Sequence, residues 1–188
     1  MTSWTELANY SLELTMHLRE YRKKGATHLD TLGWYAPSQE EAFGKVMERL
    51  YHEKVRLRLG YGSYPVYNVL FNNISLPYES YLYERRCCDY YILSHELIHA
   101  TGHRKRLNRL PLWKILMTGH KGRAQEEMTA EYGAYILARA LGLKPDLLQS
   151  IVYIDDWRRC LNETQQMKGI NDAIKAVNYL INGKQNEH

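Results

Sequence analysis

Residues 95 to 99 read His95-Glu96-Leu97-Ile98-His99. On a helix, side chains four residues apart stand one turn from each other on one face, so His95 and His99 project together. Two imidazoles at that spacing can hold one Zn²⁺. Glu96 lies beside them and can take a proton from a water whose pKa the metal lowers. That combination suits attack of water on a peptide carbonyl. Tyr91, Ile92, Leu93, Leu97, Ile98 and Ala100 supply apolar positions around the same stretch, and Gly102 ends it, so a core helix is expected. A core helix that points two His and a Glu one way needs a polar reason for doing so.

A catalytic zinc site takes three protein ligands and keeps a position open for water. The downstream candidates are His103, His120, Glu126, Glu127 and Glu131. The extended motif with a third His is excluded, because Lys105 stands where that His belongs. His103 follows the helix-ending Gly102 and reads as a helix-terminal cation or a loop hydrogen-bond donor. His120, between Gly119 and Gly122, reads as a surface loop residue. Glu127 and Glu131 lie four apart on a strongly helical segment and share a face. Two like charges there repel unless something positive lies beside them, and a metal with two imidazoles is such a group. Glu127 can then bind the metal directly, while Glu131 accepts the N–H of a ligating His. The competing reading of these acids, Glu126 included, is a solvated acidic face.

Outward from this centre, the pattern alternates between helix and strand periods. Ser3 and Glu6 form a capping box before Trp4, Leu7, Tyr10, Leu14 and Leu18, and Gly25 ends that helix. Residues 25 to 37 read as turns, and a second helix is expected from Ser38 to about residue 52. Val55, Leu57 and Leu59 alternate with basic residues as a half-buried strand. Residues 66 to 70 and 74 to 76 read as two more strands, and Pro77 suits an edge position for the last. The metal helix should begin near residue 84. Residues 103 to 125 are expected to be an irregular connection broken by Pro111, Gly119 and Gly122. Helices should follow over 123 to 141, 145 to 161 and 171 to 181. This order predicts one α+β domain over 1–188, with a helical extension over 1–53 and the core over 54–188.

The 188 residues, 45% of them apolar, exclude a disordered chain. A net charge of +4, from 25 basic and 21 acidic residues, excludes an acidic nucleic-acid mimic. No stretch reaches 18 apolar residues, and the N-terminus lacks a leader pattern, so a cytoplasmic protein without a membrane span is expected. Cys87 and Cys88 are adjacent and the three Cys are odd in number, which argues against a disulfide framework.

The run Tyr90-Tyr91-Ile92-Leu93-Ser94-His95-Glu96-Leu97-Ile98-His99-Ala100-Thr101-Gly102-His103 resembles the zincin-like metallopeptidase domain of the antirestriction protein C type, which also occurs in phage and plasmid polyvalent proteins. Arg106-Leu107-Asn108-Arg109, the acidic helix around Glu126 to Ala134, Asn73 to Pro77, and the tail from Tyr153 to Trp157 are similar to the same family. The resemblance covers about residues 60 to 183. It implies a zincin-like fold: a small sheet whose edge strand packs on the active-site helix, then a C-terminal helical part. It implies a zinc peptidase with His95, His99 and Glu127 as ligands, Glu131 as their support and Glu96 as base. It also implies that residues 74 to 76 bind a substrate peptide as an added strand. The family's longer members carry an N-terminal single-strand DNA-binding domain. Residues 1 to 53 are too short for it, so DNA binding by that route is not expected.

Two features remain beside the motif. Residues 100 to 125 carry Arg104, Lys105, Arg106, Arg109, Lys114, Lys121 and Arg123 and no acid. They read either as a contact for nucleic acid, through Arg104, Lys105, Arg106 and Arg109, or as a solvated loop. The chain has 16 Tyr against 2 Phe. Tyr78, Tyr81, Tyr83, Tyr90 and Tyr91 can line a groove or pack a core, and Tyr132 is a candidate to stabilise an oxyanion. The rival to a peptidase is a non-catalytic zincin-fold module that binds nucleic acid or a host defence protein.

Overall fold

The computed structural model describes residues 3–24, 39–59, 62–77, 86–109, 112–143, 145 and 147–183. In chain order the elements are α1 (Trp4–Lys24), α2 (Gln39–His52), β1 (Arg56–Leu59), β2 (Val66–Asn68), β3 (Asn73–Leu76), α3 (Arg86–Thr101), α4 (Leu112–Ala140), α5 (Leu147–Arg158) and α6 (Glu163–Asn182). The architecture is α+β, a three-stranded sheet beside a group of helices. Among the described residues, no helix is long and apolar enough to cross a membrane. The turns over 25 to 37, the Ser38 cap, Pro111, Tyr78, Tyr81 and Tyr83 lie outside the described residues, as do the side chains of Leu18, Cys87, Cys88 and Tyr90.

Helix α4 is the axis of the fold. Ala124, Met128, Ala130, Tyr132, Ala134, Ile136, Leu137 and Ala138 are all buried along it. Small residues interleaved with large ones let α1, α3, α5 and α6 pack around one helix. α1 begins with the expected capping box: Ser3 N donates to Glu6 Oε2 at 2.7 Å, and Glu6 N donates to Ser3 Oγ at 3.2 Å. It buries Leu7 and Leu14 in the same core. A second capping box starts α6, where Asn162 and Gln165 bond reciprocally. That helix therefore begins eight residues earlier than the expected 171.

The strand predicted at the edge is the central one. β3 pairs in parallel with β1 on one side and antiparallel with β2 on the other. All four of its residues are buried, which explains the Asn-Ile-Ser-Leu run without alternation. Pro77 follows the strand rather than sitting in its ladder, so it does not report on edge position. The edge strand that packs on α3 is β2. It is shorter than expected because Asn68 Oδ1 accepts from Leu70 N and Phe71 N, closing a turn. β1 is also an edge strand, and Leu57 on it is exposed, against the alternation read from sequence.

The expected irregular connection over 103 to 125 is mostly helix. α4 starts at Leu112 and bends at Gly119, whose φ of 52° and ψ of −138° are non-helical. A glycine tolerates that left-handed φ, so two helical stretches, before and after Gly119, meet there across a kink. His120 consequently lies on a helix and not in a loop.

Candidate metal centre

Helices α3 and α4 bring the candidate ligands together, and Gly133 sets how close they come. Across this contact Ile98 lies against the bare α-carbon of Gly133, leaving no room for a side chain. His95 Nε2 and His99 Nε2 are 3.1 Å apart. Glu127 Oε2 lies 3.4 Å from the first and 3.7 Å from the second. Ligands about 2.0–2.1 Å from a tetrahedral zinc are separated by about 3.3 Å, so the three spacings fit one small cation. His95, His99 and Glu127 are also the described His, Cys, Asp and Glu side chains that converge tightly enough to hold a metal.

Each imidazole is fixed from behind by its own carboxylate. His95 Nδ1 is 3.0 Å from Glu131 Oε2, and His99 Nδ1 is 3.2 Å from Glu126 Oε1. A proton held at Nδ1 leaves Nε2 as the free donor atom facing the cleft. The other oxygen of Glu131 accepts from Tyr91 Oη at 2.5 Å, and that phenol also bonds Ser150 Oγ at 2.5 Å. Glu126 is instead gripped by Arg109, with Nη2 at 3.0 Å from Oε1 and Nε at 3.4 Å from Oε2.

The electrostatics also suit a dication. Glu96, Glu126, Glu127, Glu131 and Asp172 outnumber Arg109 and Arg123 at and behind the cavity, so carboxylates dominate the fixed charge around the imidazoles. Burial disfavours charge on both rings, yet Glu127, Glu131 and Glu96 outweigh it and raise His95 to about 10. Against the same effect of burial, Glu126 and Glu127 raise His99 to about 9. Burial pushes Glu127 up, but the two imidazoles win and hold it well below the usual carboxylate range. Burial likewise opposes charge on Glu126, and Arg109 and His99 overcome it.

The candidate ligand atoms open onto a cavity of about 830 Å³. Tyr64, Pro65, Val66 and Tyr67 line one wall, and Glu96, His120, Arg123 and Tyr153 line others. Glu96 is buried at the cavity beside the two imidazoles. Tyr153 Oη donates to Glu127 Oε2 at 3.0 Å, and its ring meets that of His95 edge-on. Burial, with Glu127 beside it, pushes this phenol up to about 12, so it keeps its proton at neutral pH. Arg123 Nε is 3.5 Å from Glu127 Oε1, and its guanidinium lies over Trp157, which also meets His120.

Several sequence expectations fare differently. His103 is outside the cluster and buried, its Nδ1 accepting from Lys105 N at 3.2 Å. Tyr132 is buried toward α1, where its Oη is 3.4 Å from Thr15 Oγ1, so it does not face the cavity. Two of the four residues assigned to nucleic acid are internal. Arg106 bonds Ala100 O, Tyr67 Oη and Asn72 Oδ1, and only 1% of its side chain is exposed. Arg109 is buried as well, while Arg104 and Lys105 are exposed. The tight turn that closes α3 folds both arginines inward, because its backbone carbonyls need donors there. Arg109 and Tyr153 were missed as parts of the centre, and Glu126, a downstream candidate in the sequence, supports His99 from behind. Only Glu126 carried a local signal, being one residue from Glu127 on the same helix.

A family model described as a zincin-like metallopeptidase matches residues 45–173. The chain is similar to two Escherichia coli proteins named DNA primase TraC, at 34% and 33% identity over 89 residues each. Those matches take in 46% of this chain and only 8% and 6% of theirs. The fold is similar to the crystal structure of the antirestriction ArdC protein from the R388 plasmid. The Mn(II)-bound form gives a TM-score of 0.61 at 28% identity, covering 85% of this chain and 57% of that one. The metal-free form gives 0.60 at 28% identity, covering 83% and 54%. The chain thus spans less than a tenth of the curated relatives and a little over half of the solved ones.

Proposed function

The chain belongs to the zincin-like metallopeptidase family, and from that membership we propose that it is a zinc-dependent peptidase of a phage, plasmid or other mobile element. The observation that carries the reading is the convergence of His95 Nε2, His99 Nε2 and Glu127 Oε2 at a cavity that Glu96 also lines. In this reading those three residues are the metal ligands and Glu131 orients His95. The bound cation supplies Lewis acidity, which polarises a carbonyl and acidifies a water. Glu96 accepts the proton of the attacking water on a carboxylate oxygen and returns it to the leaving amine nitrogen. Tyr153 Oη, protonated beside Glu127, donates to the oxyanion that develops on the attacked carbonyl. A substrate peptide adds to the outer edge of β2, whose Val66 and Tyr67 line the same cavity.

The Mn(II)-bound state of the ArdC relative supports a divalent cation at this centre. The test is a metal analysis of the purified protein together with a peptidase assay. The native protein is expected to carry one zinc and cleave its substrate, and Glu96→Gln is expected to keep the metal and lose cleavage. A native protein without stoichiometric divalent metal overturns the reading.

That relative is an antirestriction protein, which favours a second reading, a zincin-fold module that binds nucleic acid or a host defence protein without cleaving it. In that reading the exposed Arg104 and Lys105 contact the partner. A Glu96→Gln protein that retains full antirestriction activity would favour this reading over the first.

A further inference from the structure

Arg109 sits in the basic run after the metal helix, where sequence suggests a surface contact, yet 93% of its side chain is withdrawn from solvent. Each nitrogen of its guanidinium has an inward target. Nη1 donates to Thr101 Oγ1 at 2.8 Å, and Nη2 donates to Ile98 O at 2.8 Å. Nη2 and Nε also reach the two oxygens of Glu126, at 3.0 and 3.4 Å. Thr101 Oγ1 in turn donates to Ile98 O at 2.6 Å. One planar group therefore ties the last turn of α3 to Glu126 on α4. Glu126 Oε1 then meets His99 Nδ1 at 3.2 Å.

We propose that Arg109 is a positioning residue for His99, holding Glu126 so that the ring keeps its proton at Nδ1 and presents Nε2 to the cleft. The proposal deepens the peptidase reading and rests on His95, His99 and Glu127 being the ligands. Without Arg109, Glu126 has no fixed place. The carboxylate would be free to swing toward the cation itself or toward solvent, and the His99 ring would be free to rotate. A lysine does not replace the arginine. Its single ammonium cannot span Thr101, Ile98 O and both carboxylate oxygens at once. The two ligand histidines are thus supported unequally. His95 leans on Glu131, which neutral hydroxyl groups anchor, and His99 leans on Glu126, which a guanidinium anchors.

The experiment compares native protein, Arg109→Lys and Glu126→Gln. Zinc affinity is measured by competition with a chromophoric chelator, and the histidine side chains of the zinc-loaded forms are observed by ¹⁵N NMR. Arg109→Lys is expected to bind zinc about 10- to 100-fold more weakly. Its His99 Nδ1–H should exchange faster with water while His95 Nδ1–H, on Glu131, stays as in the native protein. Glu126→Gln keeps the size of the side chain and serves if Arg109→Lys does not fold; it is expected to change His99 selectively as well. Native-like zinc affinity in a folded Arg109→Lys overturns the proposal, and so does equal disturbance of both histidines. A native protein that binds no zinc overturns the peptidase reading along with it, whereas native binding with an unaltered Arg109→Lys overturns this proposal alone.

Discussion

Gly133 packs so closely on Ile98 that a methyl group at position 133 would stand 2.7 Å from Ile98 Cγ1. Real Cβ atoms do not approach that near, so the absence of a side chain allows α3 and α4 to meet where they carry the candidate ligands. Gly133→Ala gains intrinsic helix propensity, which by itself would stabilise α4. Overpacking opposes this and costs about 1–3 kcal/mol, so it decides the sign. The variant is expected to unfold at lower urea concentration and to bind zinc more weakly, because α3 must move away from Glu127. A urea titration with and without metal checks both effects. A variant as stable as the native protein would mean that Ile98 yields and that this contact does not set the spacing.

Glu127 and Glu131 face the two histidines differently, and substitution should separate their roles. Glu127 Oε2 approaches the Nε2 atoms, whereas Glu131 Oε2 meets His95 at Nδ1. Glu127→Gln should therefore reduce zinc binding to a level that dialysis removes. Glu131→Gln should lower affinity by about 10- to 100-fold and leave stoichiometry intact. Isothermal titration of the two variants reads this directly. The reverse ranking would make Glu131 the ligand.

The metal-free and metal-loaded proteins should respond to pH with opposite slopes. In the metal-free form His95 is raised from 6.5 to about 10 and His99 from 6.5 to about 9. A raised folded-state pKa contributes stability that is fully present below the unfolded value and lost as pH climbs through the folded one. The metal-free protein should thus weaken between pH 6.5 and 9. In the loaded protein the ligand imidazoles bind no proton at Nε2, so the unfolded chain binds more protons and stability rises through about pH 6.5. Glu126 and Glu127 are lowered, and their contribution, present above the usual carboxylate value, is lost as the pH falls. Urea midpoints from pH 6 to 9, in chelator and in zinc, should diverge. Parallel curves would remove the carboxylates as the cause of the raised imidazoles.

The parts of the centre that were legible in the sequence are those encoded by spacing along one element. His95 and His99 share a face because a helix returns every 3.6 residues, and Glu127 and Glu131 do so for the same reason. What spacing cannot show is which helix faces which. Arg109 and Tyr153 join the centre from a turn and from α5, through contacts fixed only when the helices pack. Their side chains also have ordinary surface readings, a basic loop for one and a helical aromatic for the other. The strand order was hidden for a similar reason. A four-residue strand without alternation is compatible with either an edge or a centre, and burial of Asn73 and Ser75 on β3 comes from the neighbours on both sides. The kinked start of α4 was obscured by Gly119, whose breaker chemistry is real but bends the helix at one residue only.

The tyrosine that lines the cavity is Tyr153 and not Tyr132, and a pair of phenylalanine variants should distinguish them. Tyr153 Oη bonds Glu127 Oε2 at 3.0 Å from within the cavity wall, while Tyr132 Oη approaches Thr15 Oγ1 on α1. A donor aimed at a developing oxyanion acts in the transition state more than in the bound substrate. Tyr153→Phe should therefore lower kcat by about 10²- to 10³-fold with little change in KM. The ring remains, so its edge contact with His95 and the zinc content should persist. Tyr132→Phe removes a hydroxyl that lies in the core beside α1 and away from the cavity, so kcat should stay near native with a loss of stability of about 0.5–1.5 kcal/mol. Steady-state kinetics on a cleavable peptide, with zinc content measured for each protein, read the difference. A Tyr153→Phe enzyme that loses zinc instead would assign the phenol to holding Glu127, and an unchanged kcat would remove it from the reaction altogether.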